Sequence, residues 1–368
     1  MNLVFLQRID RSGGGSRASL ATTMKALRGT RPTWSLSLAT AEAGPLTGLA
    51  ITYSFGHSIM KMPHFRNFLE RPAYWLACRQ LAKWVESQKA ELVLSNEWVT
   101  APHALEVGRR LQIPAMSYVR DFSAVSRGHK YQLHQMDRLL CVSESMRQEL
   151  IKVGYDPAKV STVYNPVLRR VQTGADELLL AAIQERTQVD RWLLYIGRIS
   201  PRKSQIEAVE CLKHLRKITG ESWGLLLVGD ADKAYETTLD AKVKAEGLET
   251  EVLKLGLVET PGWLFDFAHA FVMTSKSEGL ARVVIESFLA EKPAFCLPQD
   301  GLEDIYGDAM EFFVPASREP ERLAEKIARG LSDPVSLRMH TQKIKVVFEA
   351  RHSVSGHITS FEAAIRKE

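Results

Sequence analysis

Residues 270–298 read AFVMTSKSEGLARVVIESFLAEKPAFCLP. An apolar run opens the stretch, and a polar loop with one glycine follows. Next comes an apolar-rich segment of helical length, then a second apolar run behind Pro293. The order is strand, loop, helix, strand. Runs without polar alternation are expected for strands covered on both faces, as in a parallel sheet. Glu278 and Glu286 stand eight positions apart around the apolar stretch, and glutamate is rarely buried without a partner. The pattern puts Glu278 in the loop after the strand and Glu286 a turn or two into the helix. Gly279 allows close backbone approach. A helix starting near Ala281 offers free N–H groups to phosphate oxygens. The Glu286 carboxylate can accept two hydrogen bonds from vicinal hydroxyls, such as those of a ribose.

The same unit recurs along the chain. Strand-like runs are LVFL (3–6), AELVLS (90–95), IPAMSYV (113–119), RLLCVS (138–143), WLLYIG (192–197), WGLLLVG (223–229), EVLKLG (251–256), AFVMTS and PAFCLP. Amphipathic segments such as MRQELIKVGY (146–155) and KSQIEAVECLKHLRKI (203–218) lie between them. This alternation predicts an α/β protein with parallel sheets. The series occurs twice, split by the polar stretch NPVLRRVQTGADE (165–177). The expected domains are 1–167 and 168–345, with 346–368 a C-terminal helix packing back on the first. Two doubly wound domains place their ligand at the carboxyl ends of the strands, in a cleft.

Composition agrees with a globular chain of two domains: 368 residues, 45% hydrophobic and 25% charged. No apolar run reaches the ~18 residues a membrane span needs. MNLVFLQRIDR is charged too soon for a secretory leader and reads as a first buried strand. Cys78, Cys141, Cys211 and Cys296 are scattered, with no CxxC and no Cys/His cluster. They read as reduced core thiols, and neither zinc nor a disulfide framework is expected. Residues 1–165 carry 21 Lys and Arg against 12 Asp and Glu, and the remainder 27 against 31. A basic first half invites an anionic partner. The stretch 55–84, rich in aromatic and basic residues, suits an anionic membrane surface as well as an ordinary half-buried helix.

Two further loops are candidates. DRSGGGSRAS follows the first strand, and its glycines, Gly14 and Gly15 among them, permit a ligand's close approach. The spacing is not G-x-G-x-x-G, so a dinucleotide fingerprint is absent. RISPRKS follows WLLYIG and sets Arg198, Arg202 and Lys203 around Pro201, where cations can neutralise a pyrophosphate. Asp230 and Asp232 form an Asp-x-Asp, read as a structural turn and not a metal site. The ten histidines have no ligand spacing.

With YIGRISPRKSQIEAVE (195–210), LLLVGD (225–230), LGLVE (255–259) and SKSEGLARVVIESFLAEKPAF (275–295) in view, the chain resembles the GT-B fold glycosyltransferases of the retaining, nucleotide-sugar-dependent family 4 type. VSESMRQELIKVGYDPAKVSTVYNPV (142–167) resembles the end of that family's first domain. The resemblance implies two Rossmann-like domains facing a central cleft. Arg198 and Lys203 would bind the donor diphosphate and Glu278 the transferred sugar. The backbone of Gly279, Leu280 and Ala281 would hold sugar hydroxyls and phosphate, and Glu286 the ribose. Leu257 or Val258 would lie by the base, and Gly14 and Gly15 would border the donor. The family often has a histidine where this chain has Arg120, so Arg120 is the expected replacement. Glycine is common in the family at Ser204 and Ala281.

The implied function is transfer of a hexose or N-acetylhexosamine, with retention, to a hydroxyl of a glycan or lipid-linked glycan. YNPV favours a UDP-sugar donor. The implied setting is bacterial lipopolysaccharide or surface polysaccharide synthesis. No cofactor, no metal requirement and no nucleic acid are expected. The expected location is cytoplasmic, peripheral to the inner face of the membrane. Other GT-B chemistry, such as a sugar-nucleotide epimerase, is the alternative, as is a non-catalytic relative that only binds a nucleotide sugar.

Overall fold

The computed structural model describes residues 1–10, 15–167, 174–186, 188–258 and 261–366. The chain divides into two compact units, Met1–Pro166 with Arg351–Glu368, and Val167–Ala350. Each holds one wholly parallel sheet. In the first, β1 (Asn2–Gln7), β2 (Ser35–Thr40), β3 (Gly56–Ile59), β4 (Leu92–Ser95), β5 (Ala115–Val119), β6 (Arg138–Cys141) and β7 (Val160–Thr162) are ordered β3-β2-β1-β4-β5-β6-β7. In the second, β8 (Arg191–Ile196), β9 (Trp223–Val228), β10 (Val252–Gly256), β11 (Ala270–Met273) and β12 (Ala294–Cys296) are ordered β10-β9-β8-β11-β12. The order reverses between β1 and β4, and again between β8 and β11. Loops leaving the carboxyl ends of those pairs diverge to opposite faces and leave room for a ligand.

Most of the apolar runs became strands because both faces are covered; β10, at the sheet edge, alternates instead. Every residue of β4, β9 and β11 is buried. Three strands were not among the expected runs: β2, β3 and β7. SLSLAT interleaves serine with leucine, and GHSI holds glycine, histidine and serine, so neither reads as a continuous apolar run. Register with β1 decides them: Val4 pairs with Ser37, and Ser37 with Gly56. The four cysteines are free and buried. No helix of the described residues is long and apolar enough to cross a membrane.

The expected break at 345/346 is corrected. Residue 345 lies inside the continuous helix Pro334–Arg351, whose backbone hydrogen bonds run through it, and the division comes after Ala350. The last helix, Val354–Arg366, belongs to the first unit and packs on the helix Gly15–Thr30. Phe361 is fully buried and stacks 6.5 Å from the Tyr118 ring. His357 sits on the same face, its Nδ1 2.7 Å from the Tyr164 carbonyl oxygen and its Nε2 2.9 Å from Thr23 Oγ1. Just before the helix, His352 Nδ1 lies 2.8 Å from the Asn165 carbonyl oxygen.

Burial lowers the His357 pKa to about 4, against the opposing pull of the Tyr164 carbonyl. His103, also buried, is lowered to about 4 by burial first and then by the charge of Arg8. A base whose folded pKa is depressed leaves the unfolded chain with more bound protons between the two values. Stability is therefore complete above about pH 6.5 and falls as pH drops toward 4, by up to about 1.4 kcal/mol per pH unit for each histidine. The melting temperature should fall between pH 7.5 and pH 5, and fall less steeply in His357→Leu. An equal slope in the variant would mean that His357 titrates as in the unfolded chain.

Candidate nucleotide-sugar site

Because β8 and β11 are neighbours, the loops that leave them meet. Ala270 and Phe271 of β11 pair with Leu193 and Leu194 of β8. Beyond them, Lys276 N donates to the Arg202 carbonyl at 2.8 Å, and Arg202 Nη1 to the Ser277 carbonyl at 2.7 Å. Thr274 Oγ1 donates to the Ser204 carbonyl at 2.7 Å. The Tyr195 hydroxyl donates to the Lys203 carbonyl at 2.5 Å, with Ser275 Oγ 3.2 Å away. Tyr195, Thr274 and Ser275 are all buried.

These bonds fix the charged residues. Lys203 Nζ lies 2.6 Å from Glu278 Oε1, and Arg202 Nη1 3.1 Å from the same oxygen. The Lys203 and Glu278 side chains are 13% and 12% exposed, so the pair is largely desolvated and its Coulomb energy is little screened. Burial pushes the Glu278 carboxyl up, but the Lys203 and Arg202 charges outweigh it and hold the group below its ordinary value. Glu278 is thus an anion. Arg198 differs: its side chain is 59% exposed, and its closest acid is Asp230 at 3.7 Å.

The loop after β9 supports Arg198 from one side. Gly229, at φ +148°, packs so closely that a Cβ there would stand 2.4 Å from the Gly197 carbonyl oxygen. Ile199 N donates to the Asp230 carbonyl at 2.8 Å. Asp232 accepts from Ala234 N and Tyr235 N, so it caps the helix Lys233–Ala245. The Asp-x-Asp is therefore engaged in a cap and an arginine contact. Among the described residues no group of three or more His, Cys, Asp or Glu is arranged to hold a metal ion.

Arg318 was not a sequence candidate, yet it holds the second loop in place. Nη1 donates to the Pro298 carbonyl at 2.7 Å and the Ser275 carbonyl at 3.1 Å. Nη2 donates to the Thr274 carbonyl at 2.9 Å and to Glu207 Oε2 at 2.6 Å. Glu207 stands in the first turn of the helix Gln205–Thr219, so one guanidinium joins both loops' helical and strand supports. Partners that are mostly backbone carbonyls leave no pattern in a sequence.

The remaining candidates fall as follows. Gly279 and Ala281 are buried at the start of the helix Arg282–Leu289, with Leu280 between them half-buried. Glu286 lies one turn in, 3.6 Å from Arg282 Nη2. Leu257 is exposed and Val258 half-buried in the loop after β10. Gly15 opens the first helix of the other unit, and Gly14 lies outside the described residues. Arg120 also belongs to the first unit and is tied down. It donates to the Asn96 carbonyl at 2.9 Å, to Asn96 Oδ1 at 2.6 Å and to Asn165 Oδ1 at 2.7 Å, over the Tyr118 ring at 4.1 Å. Ser204 takes φ +54°, a left-handed conformation that glycine adopts without strain.

Comparison with known proteins agrees with this fold. Residues 181–345 match the family described as Glycosyl transferases group 1, and residues 34–168 match Glycosyltransferase Family 4. A curated relative from Campylobacter jejuni, an α-1,4-N-acetyl-D-galactosaminyltransferase acting on a diphosphoundecaprenol-linked glycan, is 28% identical over 142 residues. That match spans 38% of this chain and 38% of the relative. The structure of Anabaena HepE in complex with UDP-glucose superposes with a TM-score of 0.79 at 17% identity, covering 99% of each chain. The apo lipopolysaccharide outer core galactosyltransferase WaaB does so at 0.72 and 14%, again over 99% of each. The chain belongs to the GT-B glycosyltransferases of the family 4 type.

Two predictions follow from the paired loops. Lys203→Met should destabilise by about 3 kcal/mol, because a buried carboxylate loses its closer cation. Adding Glu278→Gln should recover part of that loss, giving a coupling of about 1–3 kcal/mol in a denaturation cycle; strict additivity would show that the ion pair does not form. Gly229→Ala should lower the melting temperature by forcing the Gly197 carbonyl aside, and an unchanged value would deny the close approach.

Proposed function

We propose that the protein transfers a sugar from a UDP-sugar to a hydroxyl of a bacterial surface glycan or its lipid-linked precursor, with retention at the anomeric carbon. The observation that carries the reading is the meeting of the Arg198–Ser204 loop with the Ser275–Ala281 loop. It sets an exposed arginine, a buried lysine–glutamate pair and the start of a helix at one sheet edge.

The chemistry follows from charge. Breaking a sugar–phosphate bond builds positive charge on the sugar and negative charge on the departing diphosphate. Arg198, with most of its guanidinium free of protein contact, receives the diphosphate. Lys203 adds a second cation from the floor of the site, and the helix N–H groups near Ala281 add donors. Fixed charges of this kind stabilise a leaving group without reorganising during reaction. In this reading they do so in place of a metal ion. Glu278, kept anionic, faces the sugar, where negative charge favours the cationic transition state and would disfavour phosphate. Glu286 takes the ribose hydroxyls, and Leu257 or Val258 borders the base. Arg120 acts through Asn96 and Asn165 as a positioning residue. Its side-chain nitrogens are all engaged there, which speaks for support over direct sugar contact.

The donor preference rests on the YNPV reading and on relatives whose structures hold UDP or UDP-glucose. The acceptor class rests on the undecaprenol-linked glycan of the Campylobacter relative and the lipopolysaccharide enzymes among the structural neighbours. Action at the cytoplasmic face of the membrane follows from those acceptors.

Calorimetric titration with UDP, GDP and ADP, in magnesium and in EDTA, tests the donor half. UDP should bind best, equally in both buffers, and Arg198→Ala and Glu286→Ala should each weaken it about tenfold or more. Binding that requires magnesium would overturn the metal-free reading. No nucleotide binding would overturn the donor site. Release of UDP from UDP-sugars then separates an enzyme from a relative that only binds.

A further inference from the structure

The charges at the joined loops come in pairs. Glu278 keeps Lys203 and Arg202, and Asp230 keeps Arg198. A further pair, Arg282 with Glu286, differs in kind. Both members lie on one helix, Arg282–Leu289, at its first and fifth residues, with Nη2 and Oε1 3.6 Å apart.

Local chemistry does not account for this arginine. A helix carries positive potential at its start, so a cation on the first residue is opposed by the N–H groups beside it. A base one turn ahead of an acid is also the less favourable order for an i, i+4 pair. The two side chains are nonetheless drawn in, at 14% and 18% exposed. Withdrawing both charges from water costs stability. A placement that helix stability disfavours points to another use.

The helix shows where the pair faces. Val284, Ile285, Ser287 and Phe288 are buried, on the side that packs on β11 and β12. Arg282 and Glu286 occupy the opposite, half-buried side. That side carries Glu286 to the position assigned above to the ribose. A glutamate carboxylate stands on three rotatable bonds, and ordering it only when the ligand arrives weakens binding. A cation one turn earlier supplies the restraint beforehand. It does so by charge, since 3.6 Å exceeds hydrogen-bond length.

We propose that Arg282 is the positioning residue that sets Glu286 for a ribose 2′-hydroxyl, so that the site selects ribonucleoside over deoxyribonucleoside diphosphate donors. This rests on the transferase reading above and specifies its donor. The selection works by subtraction. A site built to bond a hydroxyl loses that bond with the deoxy ligand while still excluding the water that would replace it. Arg282 acts through Glu286, and the diphosphate is left to Arg198 and Lys203.

The test is calorimetric titration of the full chain with UDP, GDP and ADP and with their 2′-deoxy counterparts. It is read as the ratio of the two dissociation constants for whichever base binds best. Wild type should prefer the ribose form about tenfold or more. Arg282→Gln should bring the ratio down to about threefold or less, Glu286→Gln likewise, and the double variant no further, because the two residues act as one unit. Arg282→Lys should keep part of the preference, which a merely space-filling role would not predict. Inorganic pyrophosphate should bind wild type and Arg282→Gln alike. A wild type that binds nucleotide without preference would overturn the assignment. So would an unchanged ratio in Arg282→Gln; weaker pyrophosphate binding beside it would give Arg282 to the phosphates. Arg282→Met takes the place of Arg282→Gln if the latter does not fold. Failure of the underlying reading looks different: wild type then binds no nucleotide of either sugar, which removes the donor site and this assignment with it.

Discussion

The second unit depends on one adjacency: β8 lies beside β11, although 73 residues separate the end of one from the start of the other. Parallel strands expose their carboxyl ends on one edge, and the reversal of winding between this pair sends their helices to opposite faces. Backbone groups leaving the two strands would otherwise be unpaired at that edge. They are satisfied across the joint instead, the Arg202 carbonyl by Lys276 N and the Ser204 carbonyl by the Thr274 hydroxyl. The charged side chains inherit their positions from that exchange. Lys203 meets Glu278 because the backbones that carry them are already joined.

The joint is held from behind by Arg318. A single guanidinium can serve several carbonyls because its donors lie in a fixed plane. Here it serves Thr274, Ser275 and Pro298 and pairs with Glu207. The ends of β11 and β12 and the first turn of the helix Gln205–Thr219 are thereby kept in one arrangement. Preorganised charge is effective only when its support does not yield, and in this unit much of the support is main chain.

Much of the architecture could be read before any coordinates, and the reasons are physical. Strands buried on both faces must be apolar throughout, so β1, β4, β8, β9 and β11 announced themselves. β2 and β3 did not, because serine, histidine and glycine are acceptable in strands whose placement is decided by a neighbour's register. Arg198, Lys203, Glu278 and Glu286 stood out as charges at strand ends or among apolar residues. Their pairing did not, since Lys203 and Glu278 approach only through the fold. Arg318 was silent for a related reason: it is defined by carbonyls contributed from distant segments. Arg120 was noticed as an odd residue at a strand end, but its neighbours Asn96 and Asn165 show what it holds.

The first unit is written in two pieces, with the whole second unit between them. Val354–Arg366 supplies His357 and Phe361 to its core, which Thr23, Tyr118 and Tyr164 await from the other side. During vectorial synthesis, the ribosome therefore delivers an uninterrupted second unit while the first still lacks a wall. The earlier-made half must wait, partly open, for the later one. A stalled or nicked chain missing its last stretch would retain an intact five-stranded unit and expose Tyr118 on the other, marking it for proteolysis or chaperone capture.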